Sequence, residues 1–525
     1  MHPISRLMAA CLAASLCATP VWSQRAASPG LPALGDGADI TLSAERQLGD
    51  RIARELYRDP DYLEDPVLDE YLQSIWQPLV QSAQARGEIS PELQERFAWK
   101  ILIGKDRSVN AFALPGGYLG VHLGLISVVS SRDELASVMA HELSHVTQRH
   151  ISRSMGEQAR MTPWLIGAMI LGMLAASKST QGAQALIVGG QAMSAQSQLN
   201  FSRDMEREAD RIGYGVMSEA GFDPQGFVNM FGKLQQASSL NDNGAFPYLR
   251  SHPLSSERIA DMRSRQQLQT PRPANAAQDM EQAMMSARAR VLAQPGVDAL
   301  RAWAREATDP HAATQAGAKR MGVLYAACLS WIQLRELEQA RALLPLLRSG
   351  AADNAQASRL TRLLEAELAL KSDDMNGVLK ALGANLSSAL NAAWPRPELL
   401  ALSQASARLQ VSGPQGQSAG VLAQTIVQMQ RQVQAQPQDA QVWQALATAL
   451  SAQDRPLASL RAEGESQLAR LDYGAAVDRF RAAQDASRKL APQLGDHIEA
   501  AIVDARLRHA HTLLLEQMRE RMDRR

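Results

Sequence analysis

The sequence predicts a mainly α-helical protein. An α+β N-terminal domain holds a small sheet and a His-Glu-x-x-His helix, and an α-helical solenoid follows. Three observations predict this. Apolar residues recur at helical spacing from Leu42 onward in the 525-residue chain. Strand-like alternation is found between Phe97 and His122. After residue 300, helix pairs spaced like tetratricopeptide repeats follow one another.

In chain order, residues 1–23 read as an export signal. Met1 to Arg6 is short and basic, and Leu7 to Ala18 is apolar but too short to span a bilayer. Val21-Trp22-Ser23 suits cleavage before Gln24. Residues 24–41, with Ser, Pro and Gly, read as a flexible N-terminus. Cys11 and Cys17 leave with the signal, and Cys328 remains alone, so the exported chain forms no internal disulfide. In a Gram-negative host the expected location is the periplasm. Lys+Arg and Asp+Glu each total 54, which argues against a nucleic-acid partner.

The domain expected over 42–265 begins with framework helices, SAERQLGDRIARELY and LDEYLQSIWQPLV. Phe97 to Ile103 and Val109 to Leu114 read as strands, and Pro115-Gly116-Gly117 as a turn into Tyr118 to His122. The edge at Asn110, Ala111, Phe112 and Ala113 can take a peptide as an added strand. A plain hairpin is the other reading, and both can hold.

Ser131 to His150 is the stretch that carries chemistry. Ser131 and Glu134 form a capping box, and Leu135, Met139, Leu143 and Val146 an apolar stripe. His141 and His145 lie one turn apart on another flank, free of the need for burial, and can aim two imidazoles at one ion. Glu142 is then placed to take a proton from metal-bound water.

The stretch NAFALPGGY from Asn110 to Tyr118, the HELSH helix, and Ser202-Arg203 with Glu206-Arg207-Glu208-Ala209-Asp210 together resemble the gluzincin metallopeptidases of the CAAX-prenyl-protease type. The resemblance implies a zinc endopeptidase with one Zn2+ per chain. It implies Glu206 as third ligand and Asp210 as its paired acid. The helical pattern from Ser202 to Ser218 agrees, because one acid can ligate while the other orients a ligand histidine. Glu208 faces elsewhere on that helix. Similar periplasmic proteases carry a histidine after the third ligand. His252, at the end of a stretch from Ser239 to Pro253 that reads as a loop, is accordingly expected to plug the fourth zinc position. Oxyanion stabilisation and a plain loop residue are the other readings. The resemblance also implies misfolded or stalled envelope proteins as substrates, outer-membrane barrels among them. Barrel-assembly machinery is the implied partner through the repeats.

Trp164 to Ala176 is apolar throughout but short of a membrane span. It reads either as a helical hairpin or as an apolar lip that touches membrane or unfolded substrate. Residues 266–300, with Thr270-Pro271 and a helix from Met280 to Ala293, read as a linker, so the upstream domain is expected to stand alone. Over 301–525, Leu324, Cys328, Trp331, Ala340 and Leu344 set a pattern. Trp443 with Leu446 and Leu450, then Tyr473 with Phe480, repeat it. Such repeats suit a rival reading too: a periplasmic chaperone or scaffold with a latent zinc site.

Overall fold

The computed structural model describes residues 40–157, 201–239, 246–266, 275–293, 296–309, 315, 317–383, 393–412, 416–489 and 496–522. The expected export signal, the apolar stretch 164–176 and the turn at 270–274 lie outside them. Among the described residues are 22 helices and one three-stranded sheet. No helix there is long and apolar enough to cross a membrane.

The chain enters through α1 (Leu42–Arg58) and α2 (Pro66–Ala85), capped by Thr41 and Asp65. A short α3 (Pro91–Arg96) follows, capped by Ser90 with Pro91 in its first turn. Phe97, expected to begin a strand, is instead the C-cap of that helix. Trp99 then turns with φ 49°, so β1 starts only at Lys100 (Lys100–Gly104). After β2 (Ala111–Leu114), Gly116 and Gly117 carry the turn at φ 73° and 85° into β3 (Tyr118–His122). The strand order is β1-β3-β2, with β1 parallel and β2 antiparallel to β3. The outer side of β1 is taken by Tyr62 and Leu63, which leaves β2 as the open edge.

Beneath the sheet, α4 (Leu123–Val128) leads to α5 (Arg132–Thr147), then α6 (His150–Glu157). Ser131 caps α5 as expected, accepting from Glu134 N–H at 3.1 Å. The Glu134 carboxylate accepts instead from Ser130 N–H, at 2.6 Å, and from Lys233. The histidine flank, which had no need of burial with the apolar stripe, is buried as well: Glu134 to Thr147 is buried all round. The reason is that α7 (Arg203–Glu219) and α8 (Gln225–Ser239) cover the faces that the sheet and α2 leave open. Gly213 allows that approach, since a Cβ there would lie 3.0 Å from Ala140 O.

The stretch expected as a loop contains a helical turn, α9 (Tyr248–Ser251), before α10 (Ser256–Gln266). Further on, α11 (Ala276–Leu292) begins a succession of packed helices that includes α12 (Val297–Glu306), α13 (Gly317–Gln333), α14 (Leu337–Ala351) and α15 (Ala355–Lys371). The composition break near 270 is not a break in packing. One apolar core joins Leu72, Ile75, Ile126, Leu135 and Met139 to Met284, Met285, Met321 and Tyr325. Arg288 of α11 ties this core together, pairing with Asp65 at 2.6 Å and Glu367 at 2.9 Å. The later helices pack around Trp443, Leu446 and Phe480 and return to the first domain. Arg54 donates to Leu471 O at 2.8 Å, Arg470 pairs with Glu64, and Lys100 donates to Gln438 O.

Candidate metal centre

Helix α5 presents His141 and His145 from one face, and α7 faces them with Glu206. His252 arrives from the C-terminal end of α9. His141 Nε2 lies 3.0 Å from His145 Nε2 and 3.3 Å from His252 Nδ1. Glu206 Oε1 lies 2.9 Å from His252 Nδ1 and 3.5 Å from His145 Nε2. Its other oxygen is 3.5 Å from His141 Nε2. All four ligand atoms fall within 4.8 Å of one another, and all four residues are buried.

These separations fit a zinc ion. With ligand bonds of about 2.0–2.1 Å, tetrahedral ligands stand roughly 3.4 Å apart. Charge fits as well. Burial pushes the His141 imidazole down, but Asp210 and Glu206 outweigh it and raise its pKa to about 10. Burial would raise the Glu206 carboxyl, yet His252 and His141 hold it well below the usual carboxylate range. Burial, with His141 beside it, keeps His145 well below the ordinary histidine value. The cluster therefore favours positive charge at its centre, which a divalent cation supplies.

Glu142 lies beside this centre without joining it. Its Oε2 accepts from Ala113 N–H at 2.9 Å. Its Oε1 is buried with no hydrogen-bond partner among the described residues, 3.4 Å from His252 Nε2. A buried carboxylate oxygen left without a donor is costly, and it marks a place for a polar group such as water.

Asp210 sits one turn along from Glu206, with Oδ1 2.9 Å from His141 Nδ1. Arg258 fixes that carboxylate by donating to both oxygens, at 2.6 and 2.8 Å, and to Pro253 O. Arg258 carries no signal in the sequence, because no spacing rule links it to an acid 48 residues away. Two rings close the centre: Tyr248 stacks on His252 at 4.6 Å and Phe201 on His145 at 3.9 Å.

The expected edge residues Asn110, Ala111, Phe112 and Ala113 lie at and along β2. His122 N–H donates to Asn110 O, so the ladder to β3 uses Asn110, Phe112 and Leu114. Ala111 and Ala113 consequently turn their backbone groups toward the open edge. Tyr248 N–H donates to Val109 O on that same side.

Residues 66–266 match peptidase family M48. A putative beta-barrel assembly-enhancing protease of Vibrio cholerae serotype O1 is 36% identical over 334 residues, 62% of this chain and 64% of its own length. The beta-barrel assembly-enhancing protease of Escherichia coli K12 is 36% identical over 45% of this chain and 47% of its own length. The mitochondrial metalloendopeptidase OMA1 of Arabidopsis thaliana is 27% identical over 45% of each. The match thus spans less than two thirds of these curated relatives.

Proposed function

We propose that this chain, whose residues 66–266 match peptidase family M48, is an exported zinc endopeptidase of the bacterial envelope. The observation that carries the reading is the convergence of His141, His145, Glu206 and His252 beside an undonated Glu142 oxygen. When bound, zinc would acidify a water molecule and polarise the scissile carbonyl. Glu142 takes a proton from that water as its oxygen bonds to the carbonyl carbon. As the C–N bond breaks, Glu142 delivers the proton to the departing nitrogen. Asp210, held by Arg258, orients His141 from behind. The Ala111 and Ala113 edge holds the substrate chain extended across the centre.

His252 takes the fourth position at rest. A catalytic zinc keeps three protein ligands and one open site, whereas four protein ligands make a closed one. The protease is therefore latent until the segment carrying Tyr248 and His252 withdraws. Substrates are misfolded or stalled envelope proteins, outer-membrane barrels among them; the relatives' names speak of beta-barrel assembly. The helix pairs after residue 300 act as tetratricopeptide-like repeats that engage the assembly machinery. Closure of the centre also favours a second reading, a scaffold in which the zinc site is latent throughout. Glu142→Gln separates the two: a protease loses its role in barrel assembly, while a scaffold keeps it.

A further inference from the structure

His141 and His145 are both buried ligand candidates, but their outer nitrogens meet different partners. His141 Nδ1 faces the Asp210 carboxylate directly. His145 Nδ1 faces a third imidazole, with His150 Nδ1 2.9 Å away. On the far side of that ring, His150 Nε2 lies 3.1 Å from Glu208 Oε2. His150 is fully buried, whereas the Glu208 side chain is 30% exposed and is held by Arg153 at 2.9 Å.

Two facing ring nitrogens share one proton between them, since neither two donors nor two acceptors make a bond. To offer a lone pair to the centre from Nε2, His145 must carry its proton on Nδ1. His150 Nδ1 must then accept, which puts the proton of a neutral His150 on Nε2. Glu208 accepts it there. Only this order satisfies every group. It depends on a break in the helix, because α5 ends at Thr147 and Arg149 turns with φ 52°. That turn brings His150 back toward His145.

We propose that His150 and Glu208 are positioning residues that fix the tautomer of His145 and thereby its competence as a metal ligand. The inference rests on the reading of His145 as a zinc ligand. Helix α7 then serves the centre three times: Glu206 within it, Asp210 behind His141, and Glu208 through His150 behind His145. Removing Glu208 frees His150 to hold its proton on Nδ1. That proton drives the one on His145 to Nε2, where it blocks the lone pair.

The test measures zinc affinity of the full chain by competition with a chelator, alongside the unfolding temperature of the zinc-free protein. Glu208→Leu and His150→Leu are each expected to weaken zinc binding by roughly 10- to 100-fold. Glu208→Gln, whose amide oxygen still accepts from His150 Nε2–H, is expected to bind zinc nearly as tightly as the native protein. The zinc-free unfolding temperature of each variant is read beside its affinity, so that loss of the fold is not mistaken for loss of the metal site. Native affinity in Glu208→Leu, or equal weakening by Gln and Leu, overturns the proposal. Should His150→Leu fail to fold, the two Glu208 variants decide it alone. A native protein that takes up no zinc would instead refute the ligand reading beneath it.

Discussion

Glu142 and Ala113 are joined by a hydrogen bond of 2.9 Å from the strand N–H to the carboxylate. The proposed base is thereby fixed to the sheet edge on which a substrate chain would lie. Glutamine at 142 still offers an oxygen to Ala113 N–H but cannot take a proton. Glu142→Gln is expected to keep its zinc and lower peptide cleavage by roughly 10^2- to 10^4-fold. Metal analysis and a peptidase assay on the same preparation check both halves.

The two glutamates of α7 should behave differently. The native protein is expected to hold about one zinc per chain, and His141→Ala, His145→Ala or Glu206→Ala to lose most of it. Glu208→Ala should keep zinc at saturating concentration and only bind it more weakly. Full zinc in Glu206→Ala with none in Glu208→Ala would reverse the assignment of the third ligand.

His252→Ala opens the fourth position and is expected to raise proteolysis, self-cleavage included. A time course of the purified variant on gels would show it. Lower activity with zinc retained would assign His252 to the transition state instead.

The continuous core predicts that residues 42–265 do not stand alone. Arg288→Ala leaves the Asp65 carboxylate buried without its cation and should cost about 3–5 kcal/mol of unfolding free energy. A chain ended after Gln266 loses α11 and with it the cover over Ile126 and Leu135. It is expected to aggregate or to be digested rapidly by added protease.

Acid should loosen the later helices through Asp439. Burial favours its neutral form, but Arg396, donating to both oxygens, and Val442 N–H hold its pKa below the ordinary carboxylate value. A carboxyl depressed on folding contributes stability above its unfolded pKa of about 3.9, and that stability is lost as pH falls further. The stability gap between native protein and Asp439→Asn is therefore expected to narrow as pH drops from about 6 to about 3, read by denaturant unfolding at each pH.

What the sequence made legible was periodic or local. A four-residue repeat placed His141 above His145, and Ser131 and Ser202 marked the helix starts where they are found. Glu206 and Asp210 came from family resemblance, and spacing alone would not have separated Glu206 from Glu208. Arg258 and His150 were illegible for different reasons. The Arg258 partner lies on another helix, and His150 reaches His145 only through the backward turn at Arg149. The boundary expected at 265 followed composition. Met284 and Met285 are buried in one core with Ile126 and Leu135, and such long-range packing leaves no periodic trace.

The bond from Arg54 to Leu471 joins positions 417 residues apart, and that from Arg470 to Glu64 spans 406. Helix α1, which packs on the sheet through Leu48 and Ile52 with Leu471 beside them, is thus covered by a segment 417 residues further along the chain. Loops of that length close slowly, and their contacts form late in folding. The sheet beneath α1 stays uncovered on that side until Arg470 and Leu471 dock, so its surroundings are finished by the contacts most distant in sequence.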